Sequence, residues 1–404
     1  MTERLIVALV RHRGEILLCR YGAGGPITAG RWSGVTTLAE ADDDPRSVAR
    51  AAVAAQVGLD GVRVVRSGAP TSVDGKGEAV AVLLAATDRR IEPASTIDAT
   101  AWTSPVAIHE RPTLPSLWRL YESVAPSVRT IAADTAHGST ALSMRALEVL
   151  RDRAAALAAA GDDGEELVPL SRELQSARPE MLAVKVRVAS ALEGDLDPAS
   201  VRDRASAAIE AAAMADREAA RVAAVAVAGA DAIVTFSRSG TVRRAIERAS
   251  PARVLVTPAE PGGEGVRAAE ALAEAVAVEL VPDAAIATAV EAADAVLVGA
   301  DGVGPDGSVR NKVGTRTVAA VATHLGVPLY VATATAKLCR LSGPDEHVPA
   351  SEVYPGSAPI SVHTHRFEET PAAWVDGYCT ERGELDREAV RAIAEANAAL
   401  VGVD

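Results

Sequence analysis

AVLVGADGVGPDGSVRNKVGTRTVAAVATHLGVPLYVATATAKLCRL, running from Ala295 to Leu341, decides how the rest of the chain is read. Its apolar run, Ala295 to Val298, ends in Gly299-Ala300-Asp301-Gly302. A carboxylate therefore arrives at the end of an expected parallel strand, where open α/β sheets hold their ligands. Asn311-Lys312 then precede Gly314-Thr315 and a helical run to Leu325, and a second short strand, Pro328 to Ala332, leads to Lys337. Strand, polar loop, helix, strand, polar loop is a right-handed crossover unit with two functional loops at one edge.

Composition sharpens the two lysines. Lys76, Lys185, Lys312 and Lys337 are the only lysines, although Lys and Arg together number 41. Arginine has taken nearly every ordinary surface position. A compact ammonium retained at both loops points to phosphate or carboxylate neutralisation, a task in which Lys and Arg differ in hydration and reach.

Outward from this stretch, strand and helix patterns alternate. Ala232 to Phe236 precedes a helix to Ala249, Val254 to Thr257 precedes Gly265 to Ala275, and Val276 to Val281 precedes Ala284 to Ala292. Apolar strands with short connections imply a doubly wound parallel sheet over residues 229–404. The first strand delivers Thr235-Phe236-Ser237-Arg238-Ser239-Gly240-Thr241 directly into a helix. Hydroxyls, a glycine and helix-start amides make a sensible phosphate cradle. It is not a P-loop, whose lysine and spacing are absent, and no GxGxxG fingerprint supports a nicotinamide role. Residues 125–228 read as a helical subdomain, with Leu142, Ala146, Leu147 and Leu150 on one face, a break at Asp162-Asp163-Gly164, and a start signal at Asp197-Pro198. Two polar interruptions, His137-Gly138-Ser139-Thr140 and Ser176-Ala177-Arg178-Pro179, read either as anion contacts or as ordinary caps and turns.

Residues 1–124 form a further α/β/α unit. Leu5 to Val10 and Glu15 to Arg20 make a hairpin, and Gly30-Arg31-Trp32-Ser33-Gly34 leads through Glu40 to a helix, Arg46 to Val57, closed by Gly58-Leu59. Strands are expected at Val62 to Arg66 and Ala79 to Ala86, with a helix around Leu114 to Val124.

The chain's 404 residues suit two or three domains. It has no apolar run long enough to span a membrane, and Met1 to Val10 shows no cleavable leader, so a cytoplasmic location without membrane contact is expected. Cys19, Cys339 and Cys379 fit neither a disulfide framework nor a metal-ligand spacing, and reduced thiols are expected. A formal charge of -13 argues against direct nucleic-acid binding. The acidic, alanine-rich, lysine-poor composition suits a high-salt cytoplasm or a GC-rich genome alike.

Trp32, Gly34, Glu40, the helix and Gly58-Leu59 resemble the Nudix family over roughly the first 120 residues. Counted back from Gly58, the box's arginine-glutamate pair falls on Ala51-Ala52 and its glutamate pair on Ala55-Gln56, and the loop from Gly34 is longer than the family's. Those glutamates hold Mg²⁺ in the family, and alanine cannot replace them. The resemblance implies a Nudix-like fold without Nudix hydrolysis, kept as a nucleotide-sensing or docking module or as a spacer.

A second resemblance covers roughly residues 125–404. Thr235-Phe236-Ser237-Arg238-Ser239, Gly299-Ala300-Asp301-Gly302, Asn311-Lys312-Val313-Gly314-Thr315, Pro328 to Ala332, Lys337, Phe367-Glu368-Glu369-Thr370-Pro371 and Thr380-Glu381-Arg382-Gly383 together resemble the initiation factor 2B alpha, beta and delta family. That family also contains methylthioribose-1-phosphate isomerase and ribose-1,5-bisphosphate isomerase. The resemblance implies a Rossmann-like sheet, a homodimer or larger homo-oligomer, and a possible protein partner. In the isomerases a cysteine and an aspartate move protons between C1 and C2 of a 1-phosphorylated sugar. The aspartate carries over to Asp301 and the cysteine position to Ser237. Phosphate and hydroxyl contacts would fall on His137, Gly138, Ser139, Arg178, Ser239, Gly240, Thr241, Asn311, Lys312 and Lys337; His137 stands where the isomerases usually have arginine. An aliphatic hydroxyl stays protonated where a thiol can be tuned to thiolate. The expectation is therefore a regulatory sugar-phosphate or nucleoside-monophosphate binder without cofactor or metal, noncatalytic or weakly catalytic. The alternatives are an isomerase of a 1-phosphorylated ribose and a Nudix phosphohydrolase.

Overall fold

The run Leu5 to Val10 is buried along most of its length because its residues alternate between two cores: Ile6, Ala8 and Val10 enter one, Val7 and Leu9 the other. The structure, a computed structural model, describes residues 3–12, 14–73, 77–341 and 347–402; Lys76 lies outside these. Met1–Thr135, Met144–Ser171 and Gly194–Ile209 form one unit; Ala136–Ser143, Arg172–Glu193 and Glu210–Asp404 form the other.

The first unit is built on one sheet of β1 (Glu3–His12), β2 (Glu15–Tyr21), β3 (Trp32–Ser33), β4 (Val35–Glu40), β5 (Arg63–Ser67), β6 (Thr71–Ser72), β7 (Glu78–Ala85) and β8 (Ile97–Thr103). The expected hairpin is there, with Arg11 opposite Ile16. β1 pairs parallel with β7 and antiparallel with β4. The helix Pro45–Val57 covers one face through Ala49, Val53 and Val57. Asp44 caps its start by accepting from the Arg46 and Ser47 N–H groups, and Gly58, at φ 69°, ends it. The helix Leu117–Val124 covers the other face through Leu117, Leu120 and Tyr121. Within this unit Arg151 donates to the Gly14 carbonyl at 2.9 Å and to Asp152 at 2.8 Å, and Tyr121 donates to the same Asp152 at 2.5 Å.

The helical stretch contains Ser139–Ala160, Leu167–Ala177, Leu182–Ala191 and Pro198–Ala226. Leu142, Ala146, Leu147 and Leu150 are fully buried, as their spacing predicts. Asp197 starts the last of these helices by accepting from the Ser200 N–H at 3.0 Å. Among the described residues no helix is long and apolar enough to cross a membrane.

The second unit carries β9 (Ala232–Phe236), β10 (Arg253–Thr257), β11 (Val278–Leu280), β12 (Ala295–Gly299), β13 (Gly302–Val303), β14 (Val309–Lys312), β15 (Leu329–Ala332), β16 (Phe367–Thr370), β17 (Gly377–Thr380) and β18 (Gly383–Leu385). Its main sheet runs β11-β10-β9-β12-β15-β17-β18 and is parallel except at β18. β9 and β12 are buried at every position, as strands covered on both faces must be. Val234, Val296 and Val298 enter one core, and Ile233, Ala295 and Leu297 the other. The strand order reverses between β9 and β12, which places a topological switch point at their carboxyl ends.

One expectation changes. The stretch from Gly302 to Lys312 reads as a polar loop, but it folds into β13 and β14, which turn through Gly307 at φ 83° and gain β16 as a third strand. Asn311 and Lys312 thus stand on a strand, opposite Glu368 and Phe367. Gly314 follows at φ 105°, and a Cβ there would overlap the Phe236 ring. Gly314→Ala combines a left-handed backbone with overpacking, and is expected to destabilise the fold by about 2–4 kcal/mol in urea unfolding.

Candidate functional site

The switch point gathers the ends of β9 and β12. Ser237 follows β9 with φ 63°, a left-handed conformation that side-chain-bearing residues adopt at a cost of about 1–3 kcal/mol and that clusters at functional positions. Two residues on, Ser239 caps the helix Gly240–Ala249 by accepting from the Val242 N–H at 3.3 Å. The first N–H groups of a helix, here those of Gly240 and Thr241, have no intrahelical acceptor and suit an anion. Ser239 packs on β12, where a Cβ at Gly299 would come within 2.9 Å of its Cβ and Oγ. Only glycine lets the two strand ends approach this closely.

Asp301 follows β12, and its carboxyl pKa is raised: burial is the largest cause, Glu180 and Glu264 add to it, and Lys337 and Arg310 oppose it. Lys337 lies beside it and donates to the Ala300 carbonyl at 2.6 Å. The turn Thr335–Lys337 is anchored by Glu381, which accepts from the Thr335 N–H at 3.0 Å, and by Asn397, which donates to the Thr335 carbonyl at 3.0 Å.

Lys312 is only 4% exposed. Its ammonium donates to the Pro261 carbonyl and pairs with Glu264, whose Oε2 lies 3.1 Å away. Asn311, also buried, donates to Thr315 Oγ1 at 3.0 Å, and that hydroxyl donates to the Lys312 carbonyl at 2.7 Å. Glu368 caps the helix Thr315–Leu325 through the Gly314 and Arg316 N–H groups at 2.5 and 2.9 Å. His137 and Gly138 precede the helix Ser139–Ala160, whose Leu142 N–H donates to the Gly138 carbonyl at 3.1 Å. Arg178 pairs with Glu180 at 2.6 Å, and the Glu180 carboxylate is one of the groups that raise the Asp301 pKa.

A cavity of about 270 Å³ opens beside these groups, walled by Phe236, Pro261, Ile286, Val313 and Val318. None of the candidate catalytic and ligand-binding residues lines it, although Phe236, Val313, Gly314 and Glu368 of the quoted motifs do. Its carboxylates are already committed: Asp283 accepts from the Ala259 and Glu260 N–H groups at 3.0 and 2.9 Å, and Glu368 is a helix cap. A phosphate finds little complementary charge there. Among the described residues no group of three or more His, Cys, Asp or Glu side chains could hold a metal ion.

Residues 135–387 match the initiation factor 2 subunit family. The chain belongs to that family. It is 28% identical over 307 residues to the ribose 1,5-bisphosphate isomerase of Haloterrigena turkmenica, covering 66% of this chain and 92% of that protein. To the putative translation initiation factor eIF-2B subunit 2-like protein of Pyrococcus furiosus it is 31% identical over 229 residues, or 54% of this chain and 80% of the relative. The fold is shared with the Pyrococcus horikoshii OT3 translation initiation factor eIF-2B at a TM-score of 0.54 and 23% identity, covering 64% of this chain and 94% of that one.

Sequence reasoning missed Glu264, the partner of Lys312, which looks like an ordinary helix acid. It quoted Glu368 and Glu381 within the family motifs without their uses, which are to cap the helix Thr315–Leu325 and to hold the turn Thr335–Lys337. Because the folded Asp301 carboxyl holds its proton more tightly than the ordinary carboxylate, its ionisation withdraws stability as pH rises through the usual aspartate value. Asp301→Asn is therefore expected to melt at a higher temperature than the parent at pH 7, with the difference closing as the pH falls toward 4 in thermal melts followed by circular dichroism.

Proposed function

We propose that this initiation factor 2B-like protein binds a sugar phosphate or nucleoside monophosphate at Ser237, Asp301, Lys312 and Lys337, and that it is a regulator with little or no turnover. The hydroxyl at Ser237 carries this reading. A proton-abstracting base is wanted at that strand end, and a serine there stays protonated. No thiol is poised to take over. Cys339 and Cys379 are fully buried; burial raises the pKa of Cys339, and burial with Glu384 pushes that of Cys379 up to about 12. Binding needs none of this, because Lys312, Lys337 and the starts of two helices supply charge and donors. His137, Gly138, Ser139, Arg178, Ser239, Gly240, Thr241 and Asn311 complete the contact set. Occupancy is coupled to a homodimer or larger assembly, or to a protein partner.

The second reading is an isomerase of a 1-phosphorylated ribose. Asp301 favours it, since a carboxyl with a raised pKa is what a general acid at neutral pH requires. In that case a further group replaces the thiol in moving the proton between C1 and C2.

For the first unit, we read a Nudix-like module without hydrolysis. Its sheet lies between two helices. Ala51 and Ala55 are exposed on the helix Pro45–Val57 and carry no oxygen for a cation. Gln56 is spent internally, donating to the Thr36 carbonyl at 3.0 Å and accepting from the Tyr21 hydroxyl at 2.9 Å.

Ribose 1,5-bisphosphate added to the full chain is expected to raise its melting temperature and change its mass in light scattering, while forming no ketose over time. Lys312→Ala should weaken binding about 10- to 100-fold, and an undiminished thermal shift would refute the phosphate contact. Ser237→Cys is expected to bring turnover, whereas parent turnover that vanishes in Asp301→Asn would establish the isomerase instead. Release of phosphate from nucleoside diphosphate derivatives should be absent with Mg²⁺ as without it; metal-dependent release would overturn the account of the first unit.

A further inference from the structure

The cavity beside the switch point lies wholly within the second unit, and the candidate sugar-phosphate contacts leave it unused. Phe236, Pro261, Ile286, Val313 and Val318 give it apolar walls, and its volume of about 270 Å³ admits one fused ring system with a short tail. It has a mouth: Glu260, Thr317, Val353 and His363 line it and are exposed to solvent. Val353, at 52% exposure, is an apolar side chain left in water at that mouth. A ligand that covers it and the walls removes apolar surface from water.

The rim indicates which ligand. Glu260, Asp283 and Glu368 place carboxylates there, and no lysine or arginine lines the cavity. Thr317, Thr364 and the imidazoles of His363 and His365 complete the rim. The donors that hold the carboxylates are backbone N–H groups: Gly262 donates to Glu260 at 3.0 Å, Ala259 and Glu260 donate to Asp283 at 3.0 and 2.9 Å, and Gly314 and Arg316 donate to one oxygen of Glu368. Amide dipoles orient a carboxylate without removing its formal charge. The second Glu368 oxygen accepts from no donor among the described residues. The neighbouring cations are engaged elsewhere, Lys312 and Arg366 lying 3.1 and 3.8 Å from the Glu264 oxygens. Negative charge over apolar walls therefore acts through a low-dielectric surface, where it is felt more strongly than in open water.

We propose that this cavity is a second ligand site, which takes a small organic cation: a flat apolar ring carrying a primary ammonium on a short chain. The ring replaces water against the walls, and the ammonium stays at the rim, where the carboxylates accept its N–H donors. Phosphorylated compounds meet like charge there. The ligand therefore belongs to a different class from the one proposed for Ser237, Asp301, Lys312 and Lys337, and the two readings stand or fall separately. An anion of the same shape is rejected by the rim, and a neutral molecule keeps only the apolar contacts.

Tryptamine, tryptophol and indole-3-propionate share a ring and differ in the charge at the end of the chain. Isothermal titration of the full chain with each, at about pH 8 where imidazoles are ordinarily neutral, tests the inference. Tryptamine is expected to bind about fivefold or more tightly than tryptophol, and indole-3-propionate more weakly than either. Glu260→Gln, an exposed substitution that keeps an acceptor for the Gly262 N–H, should weaken tryptamine about 3- to 10-fold and leave tryptophol within about twofold. Thr317→Trp, at an exposed helix position on the mouth, should fill the opening and abolish binding of both. Equal affinity for the three compounds, tighter binding of the propionate, or tryptamine binding unchanged in Thr317→Trp overturns the inference. So does the absence of tryptamine binding by the parent. Should Thr317→Trp fail to fold, the parent's order of affinities and the response to Glu260→Gln decide: the stated order with selective weakening supports the site, and any other order, or weakening of both ligands alike, overturns it.

Discussion

The pairing of β9 with β12, Ile233 against Ala295 and Val234 against Val296, is the constraint on which the second unit depends. These strands lie far apart in the chain and side by side in the sheet. Their connections leave toward opposite edges, so a crevice remains where both end. Into it come Ser237 from one strand and Asp301 from the other. Gly299 and Gly314 keep it narrow: a side chain at the first would push against Ser239, and one at the second would displace the Phe236 ring. The chemistry is thus set by two backbones that approach more closely than most residues allow.

Much of this was legible in the sequence, for identifiable reasons. Fully buried parallel strands leave unbroken apolar runs, so Ala232 to Phe236 and Ala295 to Val298 announce themselves locally. Asp301 and Lys337 follow such runs directly. Scarcity did the rest, because a lysine in an arginine-rich chain is conspicuous. The small sheet of β13, β14 and β16 was not legible. Its strands are short, and β16 comes from a distant part of the chain, so no local periodicity reports the pairing.

Electrostatics follows the same division between local and tertiary information. A net charge of -13 describes a surface and leaves the site undescribed. At the switch point the charges are matched individually: Lys312 by Glu264, Arg178 by Glu180, and Asp301 by Lys337 and Arg310 against its own burial.

The pairing of Lys312 with Glu264 has a further consequence. A bare ammonium in a saline medium collects chloride, and an arriving phosphate must evict it, so affinity drains away as salt accumulates. Here the resident anion is tethered to the polypeptide at a fixed 3.1 Å and cannot be concentrated or diluted. The charge that faces Lys312 is therefore written into the chain and does not vary with the salt around it.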